Sequence, residues 1–337
     1  MTSISTGDLS RSLLLRRQTN DLKTALVRQS QEMTSGRMAD PLRSLRGDVT
    51  ALAALERSQA TLRSFASAAG ESATFAEGQQ NVLQRLAQEA ETVSVQLLSL
   101  GPGTEQPKDL VTAVSSAGRA AFDTVIQALN TQLADRSLFG GAATDRPALA
   151  PAEEIIAALK ADVAGITDPI ALESAVADWF GPGGGFETAA LRGDATPAGP
   201  VSVSPDDRVA LEITAARPEL RPLLSGLALT ALVAEGPEGA STAQRVQTLK
   251  RAGDRIFAAQ PPLIALAGEL GGVQARIARA QTRVESEIAA LDVARKDLIG
   301  VDPFDAATRL EDTRGRIEAL FTVTARLQRL TLTEFLR

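Results

Sequence analysis

Apolar residues recur at steps of three and four along the stretch from Leu263 to Leu298. The repeating positions are Leu263, Leu266, Leu270, Val273, Ile277, Ala280, Val284, Glu287, Leu291, Ala294 and Leu298, and all but Glu287 are apolar. A spacing of about 3.5 residues is typical of a helix packed lengthwise on other helices. At ~1.5 Å per residue this helix would be about 54 Å long. It therefore needs helical partners of comparable length.

Similar but weaker patterns predict further helices on both sides of an unlike central region. They run over about 8–33, 42–65, 83–100, 110–133, 218–234, 245–259 and 304–336. Gly36 is expected to end the first helix in the left-handed conformation, and Asp40 and Pro41 to cap and open the next. Asp302 is placed to cap the last helix. Pro261-Pro262 is expected to kink or restart the helix that contains it.

Residues 141–235 have a different character. They hold nine of the sixteen prolines, fourteen acidic residues and six basic ones, which gives a net charge of −8. A short helix is predicted at Ala152–Ala164. Alternating, strand-like pieces follow at Phe186–Leu191, Val201–Val203 and Val209–Thr214. The glycine run Gly181–Gly185 lacks the Lys-Ser/Thr ending of a phosphate-binding loop, so we interpret it as a flexible loop.

The layout predicts a mainly α protein. We expect an elongated antiparallel bundle of long helices, or coiled-coil rod, built from both chain ends, with a small α+β domain inserted. Helices far apart in sequence would pair, which would bring the two termini to the same end. The predicted domains are a terminal helical assembly domain (1–40 and 300–337), a helical rod (41–140 and 219–299) and the inserted outer domain (141–218).

Composition excludes most catalytic chemistry. The chain has no Cys, which excludes disulfides, thiolate metal sites and cysteine nucleophiles, and it has no His, which removes the commonest metal ligand and general base. We predict no enzyme activity, no catalytic or metal site and no cofactor. The only candidates for an enzyme housed in the insertion are Trp179, Asp206 and Asp207. A net charge of −6 disfavours nucleic acid. The longest apolar run, Leu223–Ala234, is too short to span a bilayer, so no membrane partner is expected.

Several short motifs resemble those of the flagellins and their hook-associated relatives. Met33-Thr34-Ser35-Gly36-Arg37, followed by Asp40-Pro41, is similar to the turn after their first helix, although the usual acidic pair is shortened to one Asp. Leu270 to Arg276 (Leu-Gly-Gly-Val-Gln-Ala-Arg) resembles the "Leu-Gly-x-Val-x-x-Arg" of their long C-terminal helix. Asp302-Pro303-Phe304-Asp305 and the terminal Leu336-Arg337 resemble their last helix.

One junction motif distinguishes members of this superfamily. Arg136-Ser137-Leu138-Phe139-Gly140-Gly141 is similar to the "Arg-Tyr-Leu/Ile-Phe-Ala/Ser/Gly-Gly" of the third hook-associated proteins, which join hook to filament. Leu191-Arg192-Gly193-Asp194 and the segment from Pro218 to Leu224 also resemble those proteins more than filament flagellin. The resemblance implies a junction protein, with a filament flagellin as the alternative. A helical signalling or tethering rod would instead place a hairpin turn at the chain centre.

The resemblance also implies partners and location. Such subunits assemble as homo-oligomers in the flagellar axial structure, next to another hook-associated protein and flagellin, and an export chaperone is expected. They are secreted to the extracellular flagellum without a cleaved signal peptide, and Met1–Ser10 has no apolar core of the secretory kind.

The terminal helices are the predicted assembly interface. The apolar positions expected to carry it are Leu9, Leu13, Leu22, Leu26, Met33, Leu310, Ile317, Phe321, Leu327 and Leu330. The family motif positions are Gly36, Arg37, Asp40, Pro41, Phe139, Gly140, Gly141 and Arg337.

Overall fold

Helices make up 73% of the protein. The computed structural model describes residues 6–45, 47–101, 106–236 and 239–335, with side chains at 10, 13–45, 47–101, 106–236 and 239–326. In chain order the helices are α1 (Thr6–Ser35), α2 (Pro41–Ser44), α3 (Thr50–Leu98), α4 (Lys108–Leu129), α5 (Ala152–Asp162), α6 (Pro169–Trp179), α7 (Arg221–Ala234), α8 (Thr242–Ile299) and α9 (Pro303–Phe335). The predicted mainly α fold is confirmed.

Helix α3 is longer than the separate patterns indicate. It begins at Thr50, after the short helix α2 that contains Leu42, and it continues through Gly70 and Gly78 to include most of the pattern over 83–100. Likewise, α8 continues through Pro261 and Pro262. A proline inside a helix costs about 3 kcal/mol, but the apolar seam on both sides of the pair, at Ala259 and Leu263, is buried. Tertiary packing therefore outweighs the local preference.

Helix α8 also contains an apolar window. Over 18 residues its mean hydropathy is 1.3, which satisfies a test of length and composition for crossing a membrane, and 28% of the window is buried. Core helices of soluble proteins pass the same test. Leu263, Leu266 and Leu270 on this helix are each 1% exposed, which shows that part of its apolar surface serves the protein's own core.

The described β structure consists of two short hairpins and two isolated bridges outside them. The first hairpin pairs β1 (Gln132–Leu133) with β2 (Arg136–Ser137), and the sequence pattern missed it. The second pairs β3 (Val201–Ser202) with β4 (Arg208–Val209). β3 lies within the predicted strand Val201–Val203, whereas β4 shares only Val209 with the predicted Val209–Thr214. The third prediction is wrong, because Phe186–Ala190 forms a π-helical turn. Phe186 and Ala190 are both buried, so the spacing of four fits a helical turn as well as a strand.

The chain divides into two compact units. We call Met1–Arg63 with Ser286–Arg337 the terminal unit, and Ser64–Glu285 the central unit. The predicted division into three domains stays a prediction. Within the central unit, one continuous buried cluster includes residues of the inner helices and of the insertion, such as Phe122, Leu227 and Ile155. The insertion and those helices therefore share a core.

Close packing of α4 on α7 positions the centre of that core. Gly118 of α4 lies where an added Cβ would overlap the side chain of Thr230 on α7, so the two helices approach closely. Every residue from Leu223 to Val233 is buried. A helix that is apolar on all sides must be surrounded, and α4, α5 and α6 all contact α7.

Candidate assembly surfaces

The terminal unit is built on an antiparallel pair, α1 and α9. The chain segments at its base are joined by two backbone hydrogen bonds, since Met38 N–H donates to the Ile299 carbonyl (2.8 Å) and Val301 N–H to the Gly36 carbonyl (3.1 Å). Farther along, a groove is lined by Leu15 and Leu22 of α1 and by Leu320 and Val323 of α9. The two helices therefore run antiparallel and stay in contact from these hydrogen-bonded segments to the groove.

The side chains turned into this pair follow the three-and-four spacing. On α9 they are Ala306, Leu310, Thr313, Ile317, Leu320 and Thr324, and on α1 they are Leu15, Thr19, Leu22, Leu26 and Gln29, all buried or half-buried. We call these residues the terminal seam. Leu22, Leu26, Leu310 and Ile317 were among the predicted interface residues. Leu15 and Leu320 were missed, although steps to Thr19 and Ile317 could have found them.

Other predicted interface residues point to solvent in the single chain. Leu13 is 60% exposed, Met33 48% and Phe321 54%. Additional apolar side chains of the two helices are exposed as well, namely Leu14, Val27, Phe304 and Val323. The side chains of Leu9, Leu327 and Leu330 and the whole of Arg337 lie outside the described residues. Apolar surface of this kind is available for packing against another molecule.

The motif at Gly36 forms the joint between the two chain ends. Gly36 has φ +65°, as predicted for the residue that ends α1. Arg37 then makes an antiparallel bridge with Gly300. Asp40 accepts a hydrogen bond from the Arg43 N–H at 3.1 Å, and Pro41 opens α2. Both predicted capping roles are confirmed, and the motif acts here as a turn that ties two distant segments together.

Asp302 also caps as predicted. Its Oδ1 accepts the backbone N–H of Phe304 at 2.8 Å, at the first turn of α9. The carboxylate thereby satisfies a helix donor that has no partner within the helix.

The junction motif Phe139-Gly140-Gly141 is a packing site in the central unit. Phe139 is fully buried. Gly141 has φ +61°, and a Cβ there would overlap the Asp194 carbonyl. The Asp194 N–H donates to the Gly140 carbonyl at 2.8 Å. Two separately recognised motifs, 136–141 and 191–194, thus lie against each other.

Arg221 holds the start of α7 onto the insertion. Its guanidinium donates to the Phe180 carbonyl (3.0 Å) and to Glu187 Oε1 (2.9 Å), and it lies 5.5 Å from the ring centroid of Phe186. The hydrogen bond from Arg221, followed by one from the Gly183 N–H, lowers the pKa of the Glu187 carboxyl below its usual range. These contacts hold the start of α7 against the insertion.

The residues considered for catalysis are engaged in separate contacts. Trp179 is buried, and its Nε1–H donates to Asp162 Oδ2 at 2.8 Å. Asp207 pairs with Arg276 at 2.9 Å, and Asp206 is exposed. Among the residues that the structure describes, no group of three or more acidic side chains is arranged to hold a metal ion.

The glycine run is more closely packed than a flexible loop. A Cβ on Gly185 would overlap the indole of Trp179, and one on Gly184 would overlap the carbonyls of Asp178 and Trp179. The glycines therefore permit a turn beneath the indole, and the interpretation of this run as a loose loop is wrong in that respect.

The C-terminal part of the chain is similar to a known protein family. Residues 258–336 match the family model of the bacterial flagellin C-terminal helical region. The match includes the predicted motifs at Leu270–Arg276 and Asp302–Asp305 but not the N-terminal ones. No curated protein sequence matches the chain.

A solved structure shares the fold. It is that of a provisionally assigned flagellar hook-associated protein from Vibrio parahaemolyticus, with a TM-score of 0.52 and 17% sequence identity. The alignment covers 77% of this chain and 98% of that chain. This likeness shows a shared fold, and the family match shows that residues 258–336 are similar to the flagellin C-terminal helical region.

Proposed function

We propose that this chain is an axial subunit of the bacterial flagellum, and more narrowly the protein that joins hook to filament. The observation that carries the narrower proposal is the contact between the Phe139-Gly140-Gly141 motif and the Leu191–Asp194 segment. Both segments resemble junction proteins more than filament flagellin, and here they form one packed site. The provisional assignment of the Vibrio parahaemolyticus neighbour supports the same reading.

Assembly would proceed through the terminal unit. Flagellin-family proteins form homo-oligomeric axial structures. In this chain the exposed apolar side chains of α1 and α9, including Leu13 and Phe321, would pack against neighbouring subunits. Each apolar side chain buried in this way contributes about 1.5–3 kcal/mol. Residues 1–40 and 300–337 are thus proposed as the assembly domain, and Leu9, Leu327 and Leu330 as members of its interface.

The remaining proposals concern position and neighbours. The rod (41–140 and 219–299) would form the wall of the tube, and the acidic insertion (141–218) would face outward, where its charge discourages clumping. The subunit would be exported to the extracellular flagellum with the help of a chaperone. Its axial neighbours would be another hook-associated protein on one side and flagellin on the other.

Gene deletion followed by electron microscopy of the cell surface tests the junction role. We expect cells that carry hooks but no filaments and that shed flagellin into the medium, and we expect the wild-type gene to restore filaments. Normal filaments in the deletion strain would contradict the proposal. Loss of the filament with no flagellin in the medium would favour the filament-flagellin alternative. The match to the flagellin family model is compatible with that alternative.

A further inference from the structure

Helix α8 has an apolar face that the rest of the chain leaves uncovered. The apolar window of this helix is only 28% buried. Phe257 on this helix is 61% exposed and Ile264 is 67% exposed. At about 100° per residue, these two side chains lie on one side of the helix together with other exposed apolar or small residues. We call this set the open face of α8, and its members are Phe257, Pro261, Ile264, Gly268, Gly272 and Ala275.

The open face lies on the opposite side of α8 from the buried seam. Leu263 and Leu270 of that seam are each 1% exposed. The one charged residue in the sequence between Phe257 and Ala275 is Glu269, which lies beside the open face and pairs with Arg217 at 2.9 Å. All members of the open face belong to the central unit. A continuous exposed apolar surface of this kind marks a site of contact with another molecule.

The two halves of the open face differ in the size of their side chains. The first half carries large side chains and the second half only small ones, in the order Phe257, Pro261, Ile264, Gly268, Gly272 and Ala275. A Cβ added to Gly268 or to Gly272 would have no atom within 4 Å, so the space above these glycines is open. The distance between two packed helices depends on the side chains at their contact, and small residues allow a close approach. One half therefore supplies projections, and the other supplies hollows that can receive them.

Charges of opposite sign lie at the two ends of the open face. Asp254 is exposed about one turn before Phe257, and Arg279 is exposed about one turn after Ala275. Helical spacing places both charges on the same side of α8 as the open face. Each lies about 12 or 13 residues from the middle of the face, which is about 19 Å at ~1.5 Å per residue. The face is therefore negative at one end and positive at the other, at equal distances from its middle.

We propose that the open face of α8 binds the same face of a second copy of this chain, with the two helices antiparallel about a two-fold axis near Leu266. Every large residue of one copy is then level with a small residue of the other: Phe257 with Ala275, Pro261 with Gly272, and Ile264 with Gly268. Asp254 of each copy meets Arg279 of the other. A two-fold axis makes each of these contacts twice.

The other arrangements use these features less well. Parallel pairing in register would place Phe257 against Phe257 and Asp254 against Asp254, and like charges in contact are unfavourable. A lipid surface would gain nothing from the hollows or from the opposite charges at the two ends. The inference does not depend on the flagellar role, because the open face lies outside the terminal unit that is proposed for assembly.

Sedimentation velocity over a range of concentrations at low salt tests the pairing. The full-length chain would carry Phe321→Asp, which removes the terminal-unit contacts proposed above. A face one helix wide is smaller than the ~1,600 Å² of a standard interface, so we expect a weak equilibrium between monomer and dimer. Asp254→Arg and Arg279→Asp should each raise the dissociation constant about tenfold, because each places like charges at both ends of the dimer.

An equal mixture of these two charge variants should restore the dimer. A pair formed by one copy of each variant has opposite charges at both ends, which only the antiparallel two-fold arrangement predicts. Glu285→Arg is the matched control, since Glu285 is exposed on another side of α8, and it should leave the dissociation constant unchanged.

A second variant fills a hollow without changing a charge. Gly272→Leu should not lower the melting temperature of the monomer, because a Cβ there meets no atom within 4 Å. It should weaken the dimer about tenfold through overpacking. Gly70→Leu, at an equally open glycine of α3, is the matched control and should leave the dimer unchanged.

Three results would overturn the proposal. The first is a chain that stays monomeric up to about 1 mM, which is weaker than any specific dimer of interest. The second is a dimer that the charge variants do not weaken, or a mixture of the two variants that stays monomeric. The third is a monomer that sediments with phosphatidylcholine vesicles and loses this property in Phe257→Ser, which would assign the open face to a lipid surface.

Discussion

Phe139 and Phe321 show how differently the two units of this protein use an aromatic side chain. Phe139 is completely buried in the central unit, whereas Phe321 is 54% exposed in the terminal unit. The same contrast holds more widely. The continuous buried cluster lies entirely in the central unit. Among the side chains that the structure describes in the terminal unit, the buried apolar ones are Leu52, Leu62, Ile299, Ala306 and Leu310.

This difference teaches which part of the chain can be stable alone. Burial of apolar surface is the main favourable term in folding. We therefore expect the central unit, which contains the continuous buried cluster, to fold as a monomer. The helices of the terminal unit have one narrow seam and several exposed apolar side chains, so they gain most when neighbouring molecules cover them. Four experiments test this contrast, beginning with the largest expected effect.

Removing the insertion should disrupt the central unit. If residues 142–217 are replaced by a short Gly/Ser linker, α7 loses the cover of α5 and α6, which contact it. Leu223–Val233 is buried throughout, so its apolar residues would become exposed. We expect aggregation or loss of the cooperative melt, measured by circular dichroism and size-exclusion chromatography. Truncation after Pro303 is the control and should leave the central unit's melt in place.

A soluble monomer with a cooperative melt after that deletion would contradict this expectation. It would also support the predicted boundaries of the insertion as an independent domain, in spite of the shared buried cluster.

A matched pair of truncations compares the two phenylalanines directly. Phe139→Ala should destabilise the monomer by about 3–5 kcal/mol, because it leaves a cavity in a closed core. Phe321→Ala should change the monomer's free energy of unfolding by less than about 0.5 kcal/mol, as is usual at exposed positions. Urea denaturation measures both. Equal effects would show that the terminal helices are part of the monomer's core.

Two charge substitutions on α9 separate the seam within the chain from the surface between chains. Ile317 is half-buried in the terminal seam, so Ile317→Asp should increase hydrogen exchange of α1 and α9 amides in the monomer. Phe321→Asp should leave that exchange unchanged and yet abolish assembly, because an unpaired charge is costly in an apolar interface. Electron microscopy of assembled filaments measures the loss of assembly in Phe321→Asp. Normal assembly of Phe321→Asp would remove Phe321 from the interface.

The smallest expected effect is a dependence on pH. The pKa of Glu187 is lowered from its ordinary value of 4.5 by the hydrogen bond from Arg221. Its contribution to stability is therefore present above pH 4.5 and is lost as the pH falls through the lowered pKa. Glu187→Gln should slightly reduce the fall in the central unit's melting temperature as the pH is lowered below 4.5.

Asp48 provides the comparison in the terminal unit. Its pKa is lowered by the backbone N–H of Thr50. Asp48→Asn should change the acid sensitivity of hydrogen exchange in the terminal unit and leave the central unit's melting temperature as it was. A change in the central unit's melt with Asp48→Asn would show that the two units unfold together.

The sequence was sufficient for features set by local chemistry or by long periodic patterns. Gly36 ends α1, Asp40 and Asp302 cap the following helices, and the stripe from Leu263 onward lies in one helix. Each depends on a residue type whose preference does not need a partner to be identified. The terminal seam was found in part for the same reason, through Leu22 and Ile317.

The errors fall where the tertiary environment decides. The prolines of α8 predict a break locally, yet the buried seam continues through them. The first hairpin was missed because its turn uses Ala134 and Asp135, both with positive φ (48° and 59°), instead of the Asn-Gly or Asp-Gly typical of such turns. Leu13 and Leu15 are equally apolar, and only the position of α9 determines which of them is covered.

Two hydrogen bonds from the Gln79 side chain act as a non-covalent cross-link. One side-chain amide on α3 holds the chain both at Leu138 and at Ile213, since its Nε2 donates to both carbonyls (2.6 and 3.0 Å). Everything between them is a loop whose ends are fixed. The entropy of closing a loop grows only slowly with its length, by about 0.6 kcal/mol for each doubling. Segments added at exposed turns within this loop should therefore be tolerated, and the chain between Leu138 and Ile213 can change in length while its attachment to α3 stays the same.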